Sequence, residues 1–160
     1  MTQRINYTQQ SPELFRKFVE FGGLLKKGGE IEEAILDLVA IRIAQLNGCA
    51  FCLDMHIKQA TLHGERALRL HHLAAWREST LFAPRERACL AWSEVLTKIP
   101  EQGVPDELYE RVRGQLSEKE LTVLTWHVMT NNAWNRVNVG FRTVPGSADA
   151  AFGLDKAGLN

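Results

Sequence analysis

Cysteine is scarce in this chain, three among 160 residues, and no apolar run is long enough to cross a bilayer. Three thiols are too few for the disulfide framework of a small secreted domain; catalytic, metal-bound or inert uses remain. Charge of neither sign dominates: nineteen basic side chains face nineteen acidic ones, with no basic block. That balance argues against nucleic acid or an anionic membrane surface as partner. The opening Met1-Thr2-Gln3-Arg4-Ile5-Asn6-Tyr7 lacks an apolar leader segment, so a cytoplasmic location is the expectation. No alternating period-2 run bounded by turn residues forces a strand. What is present is ordinary for a globular domain, with 45% apolar and 24% charged residues.

The remaining pattern is helical. Ser11-Pro12-Glu13 combines a capping hydroxyl, proline at the first helical position and an acid in the first turn, and a helix to Gly28-Gly29 follows. Ile31, Ala34, Ile35, Leu38, Ile41 and Leu46 recur at helical spacing, giving an amphipathic helix over Glu32 to Gln45. Asn47-Gly48 breaks it, and a new helix runs from Cys49 to about Leu62 with Gly64 just beyond. A shorter or broken helix over Glu65 to Ser79 is followed by helices from Pro84 to Lys98 and from Pro105 to about Gln115. Ser117-Glu118-Lys119-Glu120 fits a capping box opening a helix from Glu118 to about Val139. One all-α domain of about seven helices is expected over 1–160, with a core over about 12–142. The Gly- and Ala-rich tail 145–160 is expected to be loose, or ordered against a neighbouring subunit.

Chemistry concentrates at Cys49, Cys52 and His56. Their i, i+3, i+7 spacing puts two thiols and an imidazole on one helical stripe. Cys49, in the first turn, sits where free N–H groups and the helix dipole favour a thiolate, whereas Cys52 has His56 one turn on as a base. Two orders of events follow. Cys52 attacks an oxidant O–O bond, becomes a sulfenic acid and is resolved by Cys49; or Cys49 attacks a substrate disulfide first. A dedicated base is weighed above a shared dipole, which favours Cys52, but both remain open. Asp37 interrupts the apolar pattern of the preceding helix and is a candidate to orient His56 or pass on its proton, against the plainer reading of an acid on a solvent edge. Zinc would have three ligands in Cys49, Cys52 and His56 and would need a fourth from His63, His71 or His72. Cys89 is expected to be a buried small hydrophobe, His127 a satisfied core histidine, and the four tryptophans packing anchors.

Leu38-Val39-Ala40-Ile41-Arg42 and Gln45-Leu46-Asn47-Gly48-Cys49-Ala50-Phe51-Cys52-Leu53-Asp54-Met55-His56, with Trp76-Arg77-Glu78-Ser79, Glu86-Arg87-Ala88, Ala91-Trp92 and Asn132-Ala133-Trp134-Asn135-Arg136, resemble the carboxymuconolactone decarboxylase superfamily in its alkylhydroperoxidase (AhpD-like) branch. The resemblance spans about residues 30 to 142. It implies an all-α fold assembling as a homo-oligomer, trimer or hexamer, and a peroxidase cycle on hydrogen or organic peroxides with neither metal nor other cofactor. It implies Cys52 as the peroxidatic and Cys49 as the resolving cysteine, His56 and an acid on the preceding helix as proton relay, and a thiol protein, in some members lipoylated, as reductant. Two positions depart from the family's best-studied peroxidases: Phe51 stands where they carry a second histidine, and Asp37 where they carry glutamate. The decarboxylases that name the superfamily generally lack the paired cysteines, so the resemblance argues against lactone decarboxylation here. Two rival expectations stand beside the peroxidase: a general thiol–disulfide oxidoreductase, and a non-enzymatic metal-binding or redox-sensing assembly.

Overall fold

The computed structural model describes residues 2–159, without the side chain of Lys26; Met1 and Asn160, the ends of the expected 1–160 domain, lie outside the described residues. The described residues are all-helical: α1 Tyr7–Gln10, α2 Pro12–Lys27, α3 Glu33–Asn47, α4 Ala50–Leu62, α5 Ala67–His72 with a 3-10 turn Leu73–Ala75, α6 Pro84–Thr97, α7 Asp106–Arg113, α8 Glu118–Phe141, and α9 Asp149–Phe152 with a 3-10 turn Leu154–Ala157. The seven expected helices correspond to α2–α8. The two four-residue elements, α1 and α9, are too short to leave a periodic trace.

At the centre lies α3. Its residues Ile35, Leu36, Leu38, Val39, Ala40, Ile41, Ile43 and Ala44 are buried, so the helix is enclosed on all sides by α4, α6 and α8 rather than amphipathic, as its spacing had suggested. Leu73, Leu90, Val112, Leu124 and Val128 close the core around it. The α3–α4 turn is built as the sequence indicates. Gly48 takes φ +64°, the left-handed conformation a glycine adopts without steric cost, and Cys49 N–H donates to Ala44 O at 3.0 Å. At α8 the capping box forms: Glu120 N–H donates to Ser117 Oγ at 3.2 Å and Ser117 N–H to Glu120 Oε2 at 2.6 Å. Ser11, by contrast, does not cap α2 with its side chain; its hydroxyl donates back to Tyr7 O at 3.0 Å because α1 precedes it.

Both chain ends fold onto this core. The amino-terminal segment straps the end of α8, with Arg4 N–H donating to Phe141 O at 2.9 Å and the Tyr7 ring stacked on Phe141 at 5.9 Å. One side of α2 places Phe18 and Phe21 on Trp134 and Trp126 of α8, with centroids 4.6 and 5.7 Å apart, while Leu14 and Leu24 stay exposed. The tail, for which the sequence suggests no partner within the chain, packs on α4. There the buried Lys58 ammonium meets Asp149 at 2.6 Å and Asp54 at 3.0 Å, Gly146 N–H donates to Asp54, and Leu154 is buried. Among the described residues no helix is long and apolar enough to cross a membrane.

Candidate functional site

The turn at Gly48 delivers Cys49 to the N-cap of α4 rather than to its first turn. Its backbone is extended there, and its Sγ accepts the Cys52 N–H at 3.3 Å. Capping and disulfide bonding use the same sulfur: Cys49 and Cys52 are joined, with Cα atoms 5.4 Å apart. A helix start supplies this separation directly, because the cap and the third helical residue face each other across one turn. Ala44 and Phe51 share a buried cluster with the two cysteines, and Leu53, Met55 and Ala148 pack against it. In this oxidised form the cysteines are covered, 2% and 1% exposed.

Along α4 from Cys52 comes His56, half-buried, with Nδ1 2.9 Å from Gln59 Oε1. Asp37 on α3 is not at a solvent edge; it is 4% exposed and its Oδ2 lies 2.6 Å from His63 Nδ1. His63 caps the carboxyl end of α4 and reaches Glu33 with its other nitrogen at 3.6 Å. Asp37 thus ties α3 to the end of α4, a pairing absent from the sequence reading because it spans 26 positions.

Residues that sequence reasoning passed over surround the disulfide. Asn138 Nδ2 lies 3.6 Å from Cys52 Sγ, and Tyr7 OH donates to Asn138 Oδ1 at 3.1 Å. Burial pushes the Tyr7 phenol above its ordinary value, partly offset by that bond, so it stays protonated. Asn47, just before the turn, donates to Asn132 Oδ1 at 3.0 Å and Asn135 Oδ1 at 3.1 Å, which pins the start of α4 to α8. Asn135 Nδ2 is buried without a hydrogen-bond partner. The local trace of this seam is the α8 row Asn132, Asn135 and Asn138 at i, i+3, i+6, which marks a polar face without naming its distant partners.

Other candidates sit apart. Cys89 is fully buried and free, its thiol pushed up to about 12 by desolvation. His127 is a buried core histidine whose Nε2 lies 3.1 Å from Leu36 O. His71 and His72 are exposed, the latter 3.1 Å from Ser79 Oγ. Among the described residues no group of three or more His, Cys, Asp or Glu is arranged to hold a metal ion. Trp76 is an anchor with a polar role, its Nε1 donating to Glu94 at 2.8 Å beside Arg42, which is 2.6 Å from the same carboxylate oxygen. One cavity of about 320 Å³ lies between α4 and the tail, lined by Ala50, Leu53, Ile57, Lys58 and Pro145 among others, and another of about 500 Å³ lies near Glu94 and Arg77; neither is lined by Cys49, Cys52 or His56.

Known proteins share this architecture. The chain matches the carboxymuconolactone decarboxylase family over residues 12–94. It is 38% identical over 139 residues to the uncharacterized protein YdfG of Bacillus subtilis (strain 168), covering 87% of this chain and 94% of that protein. The crystal structure of an Agrobacterium tumefaciens protein of unknown function, described as an AhpD antioxidant-defence protein, matches with a TM-score of 0.86 at 36% identity, covering 90% of this chain and 98% of that one. An alkylhydroperoxidase AhpD core protein from Ralstonia eutropha JMP134 matches at 17% identity and a TM-score of 0.77, over 88% of this chain and 75% of that one, a likeness of fold alone.

Proposed function

Because this chain belongs to the carboxymuconolactone decarboxylase family and carries the AhpD-like fold with a disulfide at the start of its α4 helix, we propose that it is a thiol-dependent peroxidase acting on hydrogen and organic peroxides. In the proposed cycle the Cys52 thiolate attacks the O–O bond of ROOH, giving Cys52–SOH and an alkoxide that takes up a proton as ROH. The Cys49 thiolate then attacks the sulfenic sulfur, forming the disulfide and releasing the oxygen as water after protonation. An external dithiol supplies two electrons and two protons to restore both thiols and leaves as its own disulfide. His56 takes the Cys52 proton and returns it to the alkoxide. The proposal keeps Asp37 as the acid of the relay, as the family resemblance implies; its carboxylate lies 2.6 Å from His63 Nδ1 at the far end of the same helix. With Phe51 between the cysteines, that first proton falls to His56. The proposal includes a cytoplasmic site of action, a thiol or lipoyl-bearing protein as reductant, and a trimer or hexamer, the last supported by the exposed apolar side chains of α2.

The observation that carries this reading is the disulfide itself. Two cysteines three apart at a helix start form a pair that closes within one turn of backbone, and the N–H groups there favour the thiolate state. Peroxide consumption with dithiothreitol is the test. Cys52→Ser should abolish turnover, and Cys49→Ser should leave a trappable sulfenic acid at Cys52. Full turnover in Cys52→Ser would overturn the assignment. The N-cap position of Cys49 favours a second reading, a general thiol–disulfide oxidoreductase attacking through Cys49, and the ratio of peroxide to protein-disulfide rates separates the two.

A further inference from the structure

We propose that Asn138 is a catalytic residue of the dithiol cycle, its side-chain amide donating to the Cys52 sulfur once the disulfide opens, and that Tyr7 is the positioning residue that holds this amide in its donating orientation. The inference deepens the peroxidase reading and rests on it. Asn138 is 3% exposed, and every polar atom of its amide is engaged. Nδ2 donates to Trp134 O at 2.9 Å and lies 3.6 Å from Cys52 Sγ, while Oδ1 accepts from Tyr7 OH at 3.1 Å.

The network determines which end of the amide is which. A carbonyl oxygen only accepts, so the end facing Trp134 O must be the NH₂ group. That leaves a second N–H for the sulfur and the oxygen for Tyr7. The phenol, kept protonated by burial, donates to that oxygen and opposes a flip of the amide. Tyr7 reaches this place because the amino-terminal segment is strapped to the end of α8 through Arg4 and through the stacked Tyr7 and Phe141 rings.

The chemical value of the contact depends on redox state. A disulfide sulfur is a weak acceptor and a thiolate a strong one, so the N–H does little for the closed pair and much for the open one. The α4 start acts chiefly on Cys49, which caps it. Cys52, one turn into the helix, has Asn138 as its own donor. Reductive opening takes two electrons and two protons from the external dithiol, and the Cys52 proton is then lost to leave the thiolate that Asn138 holds. The titratable groups on the elements packed about Cys52 are Cys49, Asp54, His56 and Lys58 at α4, Tyr7 from the strap, Asp37 of α3, which is engaged with His63, and Asp149 of the tail; Asp54 and Asp149 are both engaged with Lys58, and α8 contributes the neutral Asn138.

Thiolate absorbance at 240 nm, followed against pH in reduced full-length protein, tests this directly. Cys49→Ser isolates the Cys52 titration, with Cys49→Ser/Cys52→Ser as the blank; Cys89, pushed up to about 12, stays silent below pH 10. Adding Asn138→Leu should raise the Cys52 midpoint by about one unit, as losing one hydrogen bond to a charged acceptor implies. Tyr7→Phe should raise it by less, in the same direction. An unmoved midpoint in Asn138→Leu overturns the proposal. If that variant does not fold, Tyr7→Phe, which deletes one hydroxyl, decides: an unmoved midpoint there overturns it. No peroxide enters the titration, so a wild-type protein that consumes none would sink the peroxidase reading while leaving this comparison intact.

Discussion

Cys89 and Cys52 are equally hidden by surface area, yet their surroundings give them opposite chemistry. Cys89 sits in the apolar core with its thiol pushed up to about 12, whereas Cys52 has a disulfide partner and an amide donor. Native protein treated with iodoacetamide should therefore leave Cys89 unmodified, and unfolding in guanidinium should expose it, as peptide mass mapping will show. Rapid native labelling of Cys89 would contradict the burial that defines it. The sequence identified Cys49, Cys52 and His56 because local spacing on one helix is written in the chain. It named Asp37 but not His63 as its partner, and missed Asn138 and Tyr7, because those contacts span 26, 86 and 131 positions and no periodicity links such residues.

Helix boundaries were the most legible feature, since caps and breakers act within four residues. Asn47-Gly48 ends α3 and Ser117 begins α8 as the residues imply, and Ser117→Ala should cost about 1 kcal/mol, lowering the melting temperature by about 2–4 °C. A melt unchanged within error would remove the cap from the stability of α8. The Ser117 backbone N–H is the largest cause holding the Glu120 carboxyl at about 2, followed by the Ser117 side chain and Arg85. A carboxyl depressed on folding contributes stability above its ordinary value of 4.5, and that contribution is lost as pH falls from there toward about 2. Glu120→Gln should flatten the stability profile across that window in urea titrations; an unchanged acid slope would show that other carboxylates carry it. The periodicity of α3 was legible but its enclosure was not, because an apolar stripe reports burial on one side and cannot count the neighbours on the other.

Across the whole molecule, the segments at both ends of the chain pack near the disulfide. The strap brings Tyr7 to Asn138, and the tail lays Ala148 against the cysteine cluster while Lys58 clamps Asp149. Asp149→Ala, which removes one of the two carboxylates on Lys58, should speed reduction by dithiothreitol. A rate equal to wild type would mean the tail is no cover. Leu14, 73% exposed, and Leu24, 66% exposed, lie on a helix with one packed side. Sedimentation equilibrium should give three or six times the 18.1 kDa chain mass, and a monomer would refute the proposed assembly. By itself the sequence determined the helices, their breaks and the alignment of two sulfurs with an imidazole, since each depends on neighbours within about two turns. Only the tertiary structure decided that Asn138, Tyr7 and the tail close around that pair, because burial and hydrogen bonding between distant segments arise when the chain packs and leave no local pattern.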